Sequence, residues 1–244
     1  MTNEDPSAPN VKPSGGPANT RAEAPVSAYE EMYEDDTAYD LPYTQSHYYP
    51  MFAATLDEVK RLGAKSVLEV GCGSGSFAQM MFDRTSATYH GFDFSKTGVE
   101  KAIARNGKDD VFSVSNALEA ESYDRDFDTI VCTEVLEHIE RDLDVVAQWP
   151  TGISCVCSVP NFDFATHVRH FLHEDEVRAR YEGLIDIEKI VRVPRSLIRG
   201  RGVAEYLRQL RWNRDNPKRF MALLGYKTFD NLAGWFVFSG KRRG

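Results

Sequence analysis

The sequence contains no run of 18 consecutive apolar residues and no basic-then-apolar pattern at its N-terminus. It therefore offers neither a bilayer-spanning helix nor a secretory signal, and the expectation is a soluble, cytoplasmic chain that does not engage a membrane. Cysteine is scarce. Cys72, Cys132, Cys155 and Cys157 each lie within or beside an apolar run, which suits reduced, buried thiols better than a disulfide framework. No second Cys or Cys/His pair stands at ligand spacing from Cys155 and Cys157, so no metal site is expected from them. Positive charge is also in deficit, with 29 Lys and Arg against 37 Asp and Glu and a net charge of -8. Such a molecule repels phosphate backbones and anionic lipid, and nucleic acid is disfavoured as its partner. No internal repeat is visible.

The 244 residues, 42% hydrophobic, suffice for one domain with appendages. Residues 1–26 hold Pro6, Pro9, Pro13, Pro17 and Pro25 with few large apolar side chains, and read as a disordered leader. Residues 27–60 form a second segment, rich in tyrosine and acids up to Tyr49 and helical in pattern from Met51. From residue 61 to 244 short apolar strands alternate with helices. Strands are expected at Ser66–Val70, Thr88–Asp93, Val111–Val114, Phe127–Cys132, Gly152–Val159, Ile185–Val193 and Trp235–Gly240. Helices are expected at about 76–82, around Val99–Ile103, and at about 139–148, 174–181 and 203–212. Strict alternation through the first five strands predicts an α/β, doubly wound, mostly parallel sheet with helices on both faces.

In such a sheet, ligands bind beyond the carboxyl ends of the strands. After the first strand comes Glu69-Val70-Gly71-Cys72-Gly73-Ser74-Gly75, where glycines let the backbone turn sharply and approach a ligand. After the second comes Asp93, a carboxylate able to accept hydrogen bonds from ribose hydroxyls. A glycine turn followed by an acid about twenty residues later also fits the dinucleotide fingerprint, but the glycines here read G-x-G-x-G and Glu69 precedes them.

The run Val67 to Gly75 resembles motif I of the class I S-adenosylmethionine-dependent methyltransferases. The likeness extends in order to Phe92-Asp93, Asn116-Ala117, Phe127-Asp128 and Thr133-Glu134-Val135-Leu136-Glu137-His138. It covers about residues 60–160, and its nearest flavour is the small-molecule branch that includes the ubiquinone-biosynthesis methyltransferases. The resemblance implies a Rossmann-like fold with a seven-stranded sheet, and S-adenosylmethionine as the cofactor, released as S-adenosylhomocysteine. Glu69, Gly71, Cys72, Gly73, Gly75, Asp93, Phe94, Asn116, Ala117, Thr133 and Glu134 become the expected cofactor-binding residues. Within them Gly71 and Gly73 line the methionine end, Asp93 takes the ribose, and Phe94, Asn116 and Ala117 take the adenine.

The segment of about 160–232 then shapes an acceptor pocket, and 27–60 caps the cofactor. The expected acceptor contacts are Tyr33, Tyr43, Tyr48, Asn161 and Arg169, and the candidate bases are His138, His167 and His170, with His173 nearby. A cation held by Asp163, His167, His170 and His173 is weighed and set aside, because Mg²⁺ prefers oxygen ligands. The expected reaction is methyl transfer to a small polar metabolite, at oxygen. Transfer to sulfur or nitrogen of an amino-acid-like metabolite is the alternative, and an RNA substrate a remoter one. Residues 192–219 carry nine Arg and Lys against two acids, a run suited to clamping an anionic group, contacting RNA or pairing with a second subunit in a homodimer.

Overall fold

The computed structural model describes residues 16–195, 207–208, 210–211, 214–215, 217–224 and 233–244. Seven strands form one sheet: β1 (Ser66–Val70), β2 (Thr88–Asp93), β3 (Phe112–Val114), β4 (Thr129–Thr133), β5 (Ser154–Pro160), β6 (Ile185–Pro194) and β7 (Gly234–Arg242). Their order is β3-β2-β1-β4-β5-β7-β6. Pairing is parallel from β3 through β5, whereas β7 runs antiparallel to both β5 and β6. The α/β, Rossmann-like, mostly parallel sheet expected from the alternation is the fold.

Around it lie α1 (Val26–Asp35), α2 (Tyr49–Arg61), α3 (Ser76–Arg84), α4 (Lys96–Asn106), α5 (Asp142–Gln148), α6 (Glu174–Tyr181) and α7 (Pro217–Leu223). Neighbouring strand residues point to opposite faces, and both faces are covered. Leu68, Ile130, Cys155 and Phe238 join one core, and Val67, Val131, Val156 and Val237 the other. Burial on both sides explains why these strands read as continuous apolar runs instead of alternating ones. All four cysteines are free and buried in these layers.

Local chemistry fixes the ends of the helices that matter to the site. Ser95 Oγ accepts from Gly98 N–H at 3.0 Å to start α4, and Gly107, at φ +64°, ends it. His173, one of the histidines beside the candidate bases, forms a capping box with Glu176 at the start of α6. The helix expected at 203–212 lies mostly outside the described residues, as does most of the basic run 192–219. No helix among the described residues is long and apolar enough to cross a membrane.

The N-terminal portion differs from expectation. Among the described residues, the leader's last part is bonded to the domain. Thr20 donates from its backbone N to Val168 O at 2.7 Å, and Arg21 pairs with Asp163 at 2.5 Å. Asn19 Oδ1 accepts from Arg169 at 2.7 Å. Proline-rich composition masks these contacts because they use backbone groups and short polar side chains, not apolar bulk. The tyrosine-rich stretch that follows contains the helix α1, which the sequence pattern does not announce.

Candidate active site

The strand order reverses between β1 and β4, and the site opens there, beyond the carboxyl ends of both strands. Two cavities, of about 470 and 170 Å³, adjoin at this point. Both are lined by Tyr29, Tyr33, Gly71, Glu134 and His138. The smaller adds Asp93, Phe94, Asn116 and Ala117; the larger adds Glu69, Cys72, Gly73, Thr133 and the aromatic wall of Tyr39, Tyr48, Phe52 and Phe162.

The glycine loop is built for close approach. Gly71 has φ +72°, and a Cβ there would fall 2.2 Å from the Val135 side chain. Gly73, at φ +48°, carries the Tyr33 hydroxyl against the position a Cβ would occupy. Its N–H donates to Asp93 Oδ2 at 2.9 Å, while Ser95 N–H donates to Asp93 Oδ1 at 2.9 Å. Asp93 is buried, and desolvation raises its pKa to about 6 against the pull of those backbone donors. Burial raises Glu69 further, to about 8, although Tyr89 donates its hydroxyl to that carboxyl. Gly75 lines neither cavity. Its tight spot against Ala102 and Asn106 makes it the joint between loop and α4.

Beyond β4, Glu134 takes φ +57°, a left-handed conformation costing a non-glycine residue roughly 1–2 kcal/mol, with its N–H on Ser158 Oγ at 3.1 Å. This turn aims Glu134 into both cavities. Burial raises Glu134 to about 7, and burial together with the neighbouring Glu134 carboxyl pushes Glu137 well above the usual carboxylate range. His138 Nδ1 lies 3.0 Å from Thr166 O, and His167 Nδ1 lies 3.1 Å from Phe162 O. A carbonyl partner puts the proton on Nδ1 in each ring and leaves Nε2 as an acceptor. Burial lowers both imidazoles to about 4, so both are neutral at pH 7. Glu137, His138 and His167 present ligand atoms within 4.8 Å of one another, a set of donors that could take a divalent cation, where the sequence reading expected no metal.

Several expected site residues stand elsewhere. Arg169 is fully buried, pairs with Asp142 at 3.1 Å, and donates to the carbonyls of Leu136, Ile139 and Glu140. It fastens the loop after β4 and does not touch the acceptor cavity. Asn161 joins β5 to β7 by accepting from Gly234 N–H at 2.7 Å. Tyr43 is packed in the core, and His170 faces Asp163 outside both cavities. Residues 161–171 run through turns and bends, not a strand, and of the three His167 lines the larger cavity while Arg169 and His170 line neither. Beside Tyr39, Phe52 and Phe162 of the aromatic wall, two further residues line the site without having been singled out in the sequence. Tyr29 sits on α1, and Arg195 stacks its guanidinium 4.6 Å from the Phe162 ring centre. Neither carries a motif; only the aromatic density of 29–49 and the basic run after 192 signalled their segments.

Comparison with known proteins agrees with this geometry. A family model described as a methyltransferase domain matches residues 46–180. The ubiquinone biosynthesis O-methyltransferases of Thiobacillus denitrificans and of Neisseria meningitidis serogroup C are 32% identical over 102 residues and 33% over 104. Each match takes in 40% of this chain and, respectively, 44% and 43% of the relative, so the likeness spans less than half of either protein. Among solved structures, the N-methyltransferase NodS of Bradyrhizobium japonicum, in complex with S-adenosyl-L-homocysteine, superposes with a TM-score of 0.57 at 16% identity, covering 89% of this chain and 97% of its own. The [4+2]-cyclase SpnF does so at 0.54 and 15%, covering 79% and 80%, and the fold by itself therefore leaves the reaction open. The family model spans more than half of the chain and takes in the glycine loop, Asp93 and the turn at Glu134, and the chain belongs to the class I S-adenosylmethionine-dependent methyltransferases.

Proposed function

We propose that this protein transfers a methyl group from S-adenosylmethionine to an oxygen of a small polar metabolite. The observation that carries the reading is the adjoining pair of cavities, one edged by Asp93, Phe94, Asn116 and Ala117, the other by two histidines with free Nε2 atoms. Glycine at 71 lets the loop pass under Val135, where a side chain would collide, and keeps its backbone on the wall of both cavities. When bound, the cofactor supplies a methyl already activated by its sulfonium.

The chain's own residues bind, orient and exclude water. Asp93 accepts from ribose hydroxyls, Phe94 lies along the adenine, and Asn116 and Ala117 meet its edge. Gly71 and Gly73, with Glu69, Cys72 and Thr133 beneath, hold the methionine end. Tyr48 and the aromatic wall enclose the acceptor, with Tyr33 over the junction. Nε2 of His167 accepts the hydrogen bond of the acceptor hydroxyl, turns its lone pair toward the methyl and takes the proton as the oxygen is methylated, while Nε2 of His138 accepts from a second polar hydrogen of the acceptor. Alignment of this kind supplies on the order of 7 kcal/mol of barrier lowering, more than the roughly 10²- to 10⁴-fold from proton removal. The partial match to ubiquinone biosynthesis O-methyltransferases supports oxygen as the attacking atom.

The test uses S-adenosylmethionine carrying a deuterated methyl, offered with panels of phenols and catechols, amines, and thiols. Label on oxygen, lost in His167→Ala and His138→Ala, is the expected outcome. Label on nitrogen or sulfur, undiminished in those variants, would assign the alternative chemistry.

A further inference from the structure

The residue at the meeting point of the two cavities with the least accounted-for chemistry is Tyr29. Its ring packs edge-on against Phe94 with centroids 5.1 Å apart and against His138 at 5.8 Å. It lines both cavities. Its hydroxyl is buried and has no hydrogen-bond partner. A buried hydroxyl left unpaired costs about 1–3 kcal/mol, so its retention calls for a partner that arrives with a ligand.

The adjoining residue explains how the ring is held. Glu30 Oε2 accepts from Ser95 Oγ and from Thr97 N–H, both at 3.0 Å, and its Oε1 accepts from Lys96 N–H at 2.9 Å. Three consecutive residues at the start of α4 are thus fastened to α1 by one carboxylate, a favoured place for negative charge. Ser95 in turn donates its N–H to Asp93. The helix that carries Tyr29 is tied, through Ser95, to the carboxylate expected to hold the ribose.

We infer that Tyr29 is a cofactor-binding residue whose hydroxyl donates to the nucleoside portion of the bound cofactor, and that Glu30 is the positioning residue that latches α1 over it. This inference rests on the cofactor assignment above and extends it to a helix outside the family match at 46–180. Burial and nearby carboxylates push the Tyr29 hydroxyl above its ordinary pKa, which keeps it a donor.

The experiment is calorimetric titration of the full chain and its Tyr29→Phe and Glu30→Gln variants with S-adenosylhomocysteine, with thermal melting of the ligand-free proteins alongside. Tyr29→Phe is expected to weaken binding about three- to tenfold, the range for one net hydrogen bond. The same variant should melt unliganded at or above the wild-type temperature, because the deleted hydroxyl has no partner there. A merely structural tyrosine would instead lower the melting temperature and leave affinity alone. Glu30→Gln keeps the hydroxyl but loosens the latch, and stopped-flow measurement should show faster ligand release. Wild-type binding with unchanged affinity in Tyr29→Phe overturns the inference; failure of the wild type to bind at all overturns the cofactor assignment itself.

Discussion

Lowering the pH from 7 to 5 should weaken S-adenosylhomocysteine binding about tenfold through Asp93 alone. Burial raises this carboxyl from 3.8 to about 6, a shift worth about 3 kcal/mol against the charged form in the folded state. Because the folded pKa lies above the unfolded one, protonation favours the folded protein as pH falls from about 6 toward 3.8, and the ionised form is the disfavoured one. Ribose hydroxyls donate to a carboxylate, so binding draws on the ionised fraction. That fraction is about nine-tenths at pH 7 and about one-tenth at pH 5 for a group titrating near 6. The assay is calorimetric titration at half-unit intervals on the wild type and on Asp93→Asn. Contributions from Glu69 and Glu134 appear in both proteins and cancel in the ratio of their affinities. A ratio that falls through pH 6 supports the assignment; a ratio that stays flat refutes it.

Three further outcomes follow from the geometry. Gly71→Ala combines a left-handed backbone with the Val135 collision at 2.2 Å, so denaturant melts should show a loss of at least about 1–2 kcal/mol and titration a more than tenfold loss of cofactor affinity. Arg169→Ala should cost about 3 kcal/mol in a urea melt, because it strips three carbonyls of their buried donor while Arg180 and Tyr181 still hold Asp142. His170→Ala should leave turnover of an identified acceptor within about twofold of wild type, whereas His167→Ala should lower it on the order of 10²-fold, as read in initial rates.

Where the sequence repeated a local rule, the structure could be read from it. Strands β1 and β2 have the expected bounds because each is a short run closed by the very residues that turn into the site. The same holds for Asp93, Phe94, Asn116 and Ala117, which converge on one cavity since each follows a parallel strand. Legibility fails where contacts are long-range. Arg169 looks like an acceptor ligand beside two histidines, yet its partners are carbonyls some thirty residues earlier. Asn161 is drawn to Gly234, at the far end of the chain. Residues 19–23 resemble a solvated leader, but Thr20 and Arg21 find backbone and carboxylate partners at 163–168 that no local pattern records. Tyr29 escaped notice for the same reason: its importance comes from lying between Phe94 and His138, which are 44 residues apart in sequence.

The central claim is that the glycine loop and Asp93 hold S-adenosylmethionine. Its most direct test is titration of the purified protein with S-adenosylmethionine and S-adenosylhomocysteine against NADH, with Asp93→Ala in parallel. Binding of both sulfur nucleotides, weakened in the variant and absent for NADH, is the predicted result. Binding of NADH in their place, or equal affinity in the variant, would contradict it.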